Sequence, residues 1–190
     1  MEKKYELTDE ILEVGGRVLH RINALRNFGN IKQGEIGGWI ENEDNLSHDD
    51  DCWVYDNAKV YGDAKVYGDA KVYGDAKVFG DAVVCDNAVV CDNAVVCDNA
   101  KVFGDAVVYG NAKIYGNAVI KKMSDYIVFK NWWSSGRYFT WTRSNDRWTV
   151  GCFYGTGEEL IKKAYNDSAE SGREYERIVK YVESIKSEIK

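Results

Sequence analysis

The stretch from Ala58 to Ile120 decides the fold. It reads AKVYGD three times, then AKVFGD, AVVCDN three times, AKVFGD, AVVYGN, AKIYGN and a closing AVI. The period is six residues, with Ala at the first position of each unit and Val or Ile at the third. A unit of six residues cannot bury a core alone, so such repeats stack into a solenoid. A coiled coil is excluded because its period is seven.

Each hexapeptide is expected to form one side of a prism. The Ala and the β-branched residue point inward, and the Gly-Asp, Asp-Asn or Gly-Asn pair forms the corner, because these residues tolerate a positive φ. The units are similar to those of the hexapeptide-repeat left-handed β-helix, although Cys replaces the family's Gly in VCDNAV and the Gly lies one place later in VYGDAK. Three units make one coil in that family, which implies three to four coils over residues 58–120.

We therefore predict a mainly β protein whose centre is a single-stranded left-handed β-helix solenoid in residues 46–122. Residues 1–45 are predicted to form an N-terminal β cap, with strands at 5–7 and 18–22 joined by a turn at Gly15-Gly16. A cap is needed because an uncapped solenoid exposes edge strands. Leu46, Cys52 and Val54 already fall on the inward phases of the repeat, which indicates that the coil begins before Ala58.

The segments ALRNFG, GGWIE, NLS and CWVYDNA resemble the YdcK-like proteins of bacteria and phages. Those are hexapeptide-repeat proteins often labelled transferases, although no reaction has been demonstrated for them. The resemblance covers roughly residues 5–120. It implies a bacterial or phage setting, and a counter-defence role is one interpretation of it.

Residues 123–190 are predicted to form a C-terminal α+β module with three strands and two helices. The strands are expected at 126–132, 137–143 and 147–153. Capping boxes at 156–159 and 171–174 predict the two helix starts. The second helix should bury a stripe at helical spacing, formed by Tyr175, Ile178, Val179, Val182, Ile185 and Ile189.

Composition bounds the partners and the compartment. The net charge of −6 argues against general nucleic-acid binding. The absence of an apolar run of 18 residues or of a signal-peptide core predicts a cytoplasmic protein without a membrane partner. Five cysteines, an odd number, indicate free thiols, and Cys85, Cys91 and Cys97 are expected to be small fillers at outward or half-buried positions.

The residues that could carry catalysis are few. A hexapeptide acyltransferase needs a His base, but His20 and His48 both lie outside the repeats. A γ-class carbonic anhydrase needs three His for its metal, and the chain has two. The acidic run between Glu41 and Asp51 lacks the spacing of a calcium loop and is interpreted as solvated. We predict no cofactor, no metal and, on balance, no enzymatic activity.

A window rich in Arg and Trp carries the functional hypothesis. Planar rings interleaved with guanidinium groups suit an anionic small molecule such as a signalling nucleotide. The predicted ligand-binding residues are Lys130, Trp133, Arg137, Trp141, Arg143 and Arg147. The alternative is that the Trp side chains build the core of a small sheet, with Arg at its rim. A structural or inhibitory scaffold that binds another protein, and an acyltransferase, remain as other functions.

One face of the prism is predicted to bind other copies of the chain. Residues 18 positions apart lie above one another, so the outward residues form three faces. The third face, which contains Lys71, Val89 and Val107, has the fewest lysines. Apolar faces usually mark interfaces. We expect a dimer or a trimer of parallel prisms, with an interface at Tyr73, Val89, Cys91, Val107 and Tyr109. The alternative is that these columns only stabilise neighbouring coils.

Overall fold

The computed structural model describes residues 2–189. Three longer strands open the chain, β1 (Tyr5–Val14), β2 (Arg17–Ala24) and β3 (Ile36–Ile40). Strands of two residues follow at intervals of six: β4 (Trp53–Val54), β5 (Lys59–Val60), β6 (Lys65–Val66), β7 (Lys71–Val72), β8 (Lys77–Val78), β9 (Val83–Val84), β10 (Val89–Val90), β11 (Val95–Val96), β12 (Lys101–Val102), β13 (Val107–Val108), β14 (Lys113–Ile114) and β15 (Val119–Ile120).

The C-terminal part of the described chain contains four strands and two helices. These are β16 (Tyr126–Lys130), β17 (Tyr138–Thr142), β18 (Arg147–Val150), β19 (Phe153–Gly155), α1 (Gly157–Asp167) and α2 (Ala169–Ile185). The mainly β fold class is therefore confirmed, with a solenoid of about five coils followed by an α+β module. No helix in residues 2–189 is long and apolar enough to span a membrane.

The repeats form three parallel sheets, one for each side of the prism. The sheet orders are β3-β5-β8-β11-β14, β6-β9-β12-β15 and β4-β7-β10-β13. Val89 pairs with both Lys71 and Val107, each 18 residues away, so three hexapeptides make one coil. The first coil begins upstream of the perfect repeats, because β3 pairs with β5 and Leu46 bridges Val66. The stacked strands thus include residues from the predicted cap range.

The interior of the prism contains small and β-branched side chains at every level. Ala88 and Val90, like the equivalent residues of the other units, are at most 1 % exposed. The N–H of Lys71 donates to the carbonyl of Ala88 at 2.9 Å, and that of Tyr73 donates to Val90 at 3.0 Å. Every coil therefore depends on its neighbours for both its core and its hydrogen bonds.

The AVVCDN units turn their corners without glycine. Asp86, Asp92 and Asp98 occupy the left-handed region at φ of 59–60°, which Asp tolerates better than most residues. Each of the three carboxylates accepts a hydrogen bond from the backbone N–H of a corner glycine in the next coil. The carboxylate therefore offsets part of the backbone cost of its own corner.

The cysteines of these units are more buried than the sequence predicts. Cys85, Cys91 and Cys97 are 8 %, 5 % and 2 % exposed, not outward or half-buried. The reason is the stacking of neighbouring coils: Tyr67 and Tyr73 lie one coil below Cys85 and Cys91 and hydrogen-bond to them. A thiol is small enough for a ring from the adjacent coil to cover it.

The N-terminal hairpin forms as predicted, with Gly15 and Gly16 in the turn between β1 and β2. β2 pairs antiparallel with β3 and so extends one side of the prism. Lys4 is fully buried, and its Nζ donates to the carbonyls of Asp49, Asp50 and Cys52. These contacts anchor the start of β1 to the segment that leads into β4.

The C-terminal module differs from the prediction at two points. Gly151, at φ 59°, turns the chain after β18, so the predicted third strand is two strands, β18 and β19. The capping box at Thr156 and Glu159 is confirmed. The box predicted at Ser171 is wrong, because Ser168 caps α2 by accepting from the N–H of Ser171 at 3.0 Å. A single residue separates the two helices, so α2 starts one turn earlier.

Both faces of the four-stranded sheet are covered. One face packs Phe139, Trp141 and Trp148 under α1 and α2. The other lies on the last coil, where the Thr140 hydroxyl accepts from Lys113 N–H at 2.9 Å and the Tyr126 hydroxyl accepts from Tyr109 N–H at 3.3 Å. These side-chain oxygens replace the carbonyls that a further coil would supply, and the module thereby closes the C-terminal end of the prism.

Candidate functional site

A cavity of about 620 Å³ lies within the C-terminal module. It is bounded by the β16–β17 loop, the turn between β18 and β19, and the two helices. Its volume falls in the range of small-molecule sites. The lining residues are Asn131, Ser134, Ser135, Arg137, Val150, Gly151, Cys152, Phe153, Tyr154, Leu160, Lys163, Ala164, Asp167, Ser171 and Tyr175.

Hydrogen bonds fix the loop that forms one wall of this cavity. Asn131 is 4 % exposed, and its Oδ1 accepts from both the N–H and the hydroxyl of Ser134, at 2.9 and 3.1 Å. Its Nδ2 donates to the Tyr175 hydroxyl at 3.1 Å. The backbone N–H of Asn131 also donates to the carbonyl of Arg137 at 2.8 Å. The wall is therefore formed before any ligand arrives.

The cavity combines an apolar and aromatic interior with charge at its mouth. Leu160 and Tyr175 are buried, and burial raises the pKa of Tyr175, so the phenol is neutral at physiological pH. Its oxygen accepts from Asn131, which leaves the phenol proton able to donate to a ligand oxygen. Arg137 and Lys163 are exposed cations in the lining, and Asp167 is the carboxylate.

The structure separates the six residues of the predicted binding window. Arg137 lines the cavity. Trp141 is 1 % exposed and lies in the module core, where its Nε1 donates to Asp146 at 2.8 Å. Trp133 packs edge-on against Tyr175 with ring centroids 4.9 Å apart. Trp141 therefore takes the core position that the alternative interpretation gives it, and the partly buried Trp133 packs against that core.

The other three basic residues lie outside the cavity lining. Lys130 is exposed at the end of β16, with Nζ 5.7 Å from the ring centroid of Tyr138. The Arg143 backbone N–H donates to the carbonyl of Asp125. Arg147 donates to the carbonyls of Asn145 and Asp146 at 3.4 and 3.3 Å. The structure therefore does not gather the window into one surface.

Sequence reasoning missed the contribution of α1 to the cavity. Lys163 and Asp167 are four residues apart, so they lie on one side of the helix, one turn from each other. Leu160 and Ala164, the buried residues of α1, define the neighbouring stripe. The helical spacing was available in the sequence, but only the folded module shows that this side of α1 faces Arg137.

Both histidines pack at the N-terminal end. The Nδ1 of His20 lies 3.0 Å from the carbonyl of Thr8, within the hairpin. His48 stacks on Tyr5 at 4.2 Å between ring centroids, and its Nδ1 accepts from the backbone of Lys4 at 3.3 Å. In residues 2–189, no group of three or more His, Cys, Asp or Glu is arranged to hold a metal ion.

The predicted interface residues lie on one side of the prism. Tyr73 and Tyr109 are 37 % and 46 % exposed, and Val89 and Val107 are half-buried beside them. Cys91 belongs to the same column but is buried. Val89 and Val107 are therefore neighbours in one outward column, whereas the buried Cys91 separates Tyr73 from Tyr109 in the column beside it.

Comparison with known proteins gives no family assignment: no protein-family model and no curated protein matches this chain.

Proposed function

We propose that the C-terminal module is a non-catalytic binding module for a small anionic molecule, and that its site is the cavity around Arg137. The observation that carries this proposal is the presence of two cations, Arg137 and Lys163, at the mouth of a cavity with an aromatic interior. A guanidinium group binds phosphate or carboxylate through two parallel hydrogen bonds, and Lys adds a point charge.

A nucleotide is the ligand class that fits this combination best. Its base can lie against the ring of Tyr175 and the apolar floor, while its phosphates reach Arg137 and Lys163. Asp167 could accept hydrogen bonds from ribose hydroxyls. In the bacterial or phage setting that the YdcK-like resemblance implies, the module would sequester a signalling nucleotide, and so keep it from its receptor in a host defence response.

Two other functions are weaker. A protein-binding scaffold is supported by the exposed face of the prism, which is treated below. An acyltransferase finds little support, because both histidines are held in packing contacts at the N-terminal end, away from a cleft between coils.

The test is thermal shift and calorimetry with ATP, a cyclic dinucleotide, pyrophosphate and acetyl-CoA. A ligand at a hundredfold excess over its Kd raises the free energy of unfolding by about 2.7 kcal/mol. Binding should be lost in Arg137→Ala and Lys163→Ala. It should persist in Lys162→Ala, which removes an exposed lysine of α1 outside the lining, and in Arg143→Ala, which removes a basic residue of the window.

Two outcomes would overturn the proposal. If none of the four probes shifts the melting temperature or releases heat, the cavity does not bind this class of anion. If Arg143→Ala abolishes binding while Arg137→Ala and Lys163→Ala retain it, the anion binds elsewhere on the module.

A further inference from the structure

The third face of the prism, defined here as the outward side of β4, β7, β10 and β13, is the least charged of the three. Lys71 is the one lysine among its described outward positions, whereas the face of β5, β8, β11 and β14 carries Lys59, Lys77 and Lys113. Tyr55 and Tyr73 of the third face are neutral at physiological pH, because their surroundings raise the pKa of both phenols. A hydrogen bond to Cys91 raises the pKa of Tyr73 to about 12.

This apolar face continues onto the C-terminal module. A groove of about 510 Å³ lies where the last coil meets β16, lined by Tyr109, Gly110, Asn111, Met123, Tyr126, Ile127, Val128 and Tyr138. Met123 and Tyr138 are 54 % and 39 % exposed. The solenoid part of the face has only four rows about 4.8 Å apart, so its area is much less than the roughly 800 Å² that each partner of a stable complex buries. An interface here must therefore include the groove.

Charge is distributed unevenly along this face. At the N-terminal end, Asp51 and Asp69 lie together beside Tyr55, with the Asp51 N–H donating to the Asp69 carboxylate at 3.2 Å. At the C-terminal end, the exposed lysines Lys122 and Lys130 lie next to the groove residues. Two copies side by side in the same direction would oppose like charges, whereas two copies in opposite directions pair unlike charges.

We propose that the third face binds a second copy of this chain, and that the two prisms lie antiparallel about a two-fold axis. The proposal is independent of the anion site. Tyr126 lies above β13, so the face has five levels: β4, β7, β10, β13 and Tyr126. The two-fold axis therefore crosses the middle level, which is β10. Val89 then meets Val89 of the second copy. A two-fold contact of this kind closes the assembly at a dimer.

The same symmetry fixes the other pairs. Tyr73 lies opposite the second copy's Tyr109, so two pairs of rings flank the axis. Lys71 lies opposite the second copy's Val107, next to the carboxylate of its Asp105, and can form an ion pair there. At the ends, Asp51 lies opposite the second copy's Met123, beside its Lys122. Asp51 and Lys71 thus each lie near an unlike charge of the second copy. Asp69 lies opposite the second copy's Asp105, and Lys71, which lies beside Asp69, offsets the repulsion between these two carboxylates.

The oligomeric state gives the first test, by light scattering and sedimentation of the full chain. We expect a dimer at about 100 µM, where a complex of micromolar Kd is saturated. Val89→Lys should weaken the dimer at least tenfold, because it places two ammonium groups against each other at the axis. The matched control is Val83→Lys. Val83 has the same position as Val89 in an identical AVVCDN unit but lies on another face, so this substitution should leave the dimer intact. A wild-type monomer, or equal effects of the two substitutions, overturns the proposal.

Disulfide trapping tests the direction of the two prisms. In a Cys152→Ser background, which removes the exposed native thiol, Asp51→Cys and Met123→Cys are made as separate proteins. The antiparallel dimer predicts a cross-link only when the two proteins are mixed. Self-linking of each protein alone, with no link between the two different proteins when they are mixed, would show a parallel dimer and overturn the proposal. Circular dichroism of each variant shows that it is folded before the result is used.

Discussion

In the solenoid the inward side chains are Ala, Val and Ile, whereas the core of the C-terminal module contains Phe139, Trp141 and Trp148, each at most 1 % exposed. The solenoid repeats one small contact eleven times along the chain and spreads its stability over identical neighbours. The module concentrates its stability in a few large aromatic residues. Substitutions should therefore have local effects in both regions, but much larger single effects in the module.

The largest effect is expected for Trp148→Ala. This side chain packs against Phe129 and Phe139 at 5.9 and 6.1 Å between ring centroids. Truncation of a buried Trp destabilises by about 3–5 kcal/mol, a large part of the stability of a small module. Hydrogen exchange should show loss of protection in β16–β19 and in the last coil, while β5–β9 stay protected.

The control for this variant is Trp132→Ala. Trp132 is 73 % exposed in the same module, so its truncation should change the free energy of unfolding by less than about 0.5 kcal/mol. Uniform loss of protection through β5–β9 in Trp148→Ala would contradict the comparison, because it would mean that solenoid and module unfold as one unit.

An intermediate effect is expected at the junction of the two regions, for Tyr126→Phe. The Tyr126 hydroxyl donates to the carbonyl of Val107 at 3.1 Å and accepts from the N–H of Tyr109. Loss of these partners should cost about 1–3 kcal/mol at neutral pH, measured by urea denaturation. Tyr138→Phe, at a 39 % exposed position of the same sheet, should be close to wild type.

The junction should also respond to alkaline pH. Burial raises the pKa of Tyr126 from 10.0 to about 12. The folded state therefore holds this proton more tightly than the unfolded state, and the stability that it contributes is complete below pH 10 and is lost as the pH rises towards 12. Tyr126→Phe should show a smaller loss of stability over this range than wild type. An identical pH dependence would show that the phenol is not held by the fold.

The smallest effect is expected as a difference in stability between alanine substitutions at two corners of the solenoid. Gly80 and Gly110 have φ values of 71° and 67°, so alanine is strained at both. A Cβ at Gly80 would lie 2.9 Å from the backbone N of Asp98, whereas a Cβ at Gly110 meets nothing within 4 Å. Gly80→Ala should therefore be less stable than Gly110→Ala by about 1 kcal/mol. Equal melting temperatures would show that coil spacing adapts easily at the corners.

The repeat made the solenoid predictable to the level of single residues. A period of six places Ala88 and Val90 inward, and the three-unit coil that the family resemblance implies pairs Val89 with Lys71 and Val107. The helix start at Thr156 was equally clear, because a capping box is a local interaction. The helix start predicted at Ser171 was wrong, because Ser168 caps α2 and only this residue separates α1 from α2.

The candidate site was less predictable, because it depends on residues distant in sequence. Composition drew attention to Trp141 and Arg143, but composition does not state which face of a strand a residue occupies. Pairing in the sheet buried Trp141 under the helices and placed Arg143 outside the cavity lining. Arg137 and Lys163 line the same cavity only because α1 packs back across the sheet after β19.

The sequence by itself determined the solenoid, the hairpin at the N-terminus and the start of the first helix, and the resemblance to the left-handed β-helix implied the three-unit coil. The reason is that these features rest on local periodicity, turn residues and caps, which act between near neighbours in the chain. Tertiary structure alone decided the burial of Cys85, Cys91 and Cys97, the closure of the last coil by Tyr126 and Thr140, and the cavity around Arg137. These features arise where non-repeating surfaces meet, and side-chain packing between distant segments decides which groups are covered.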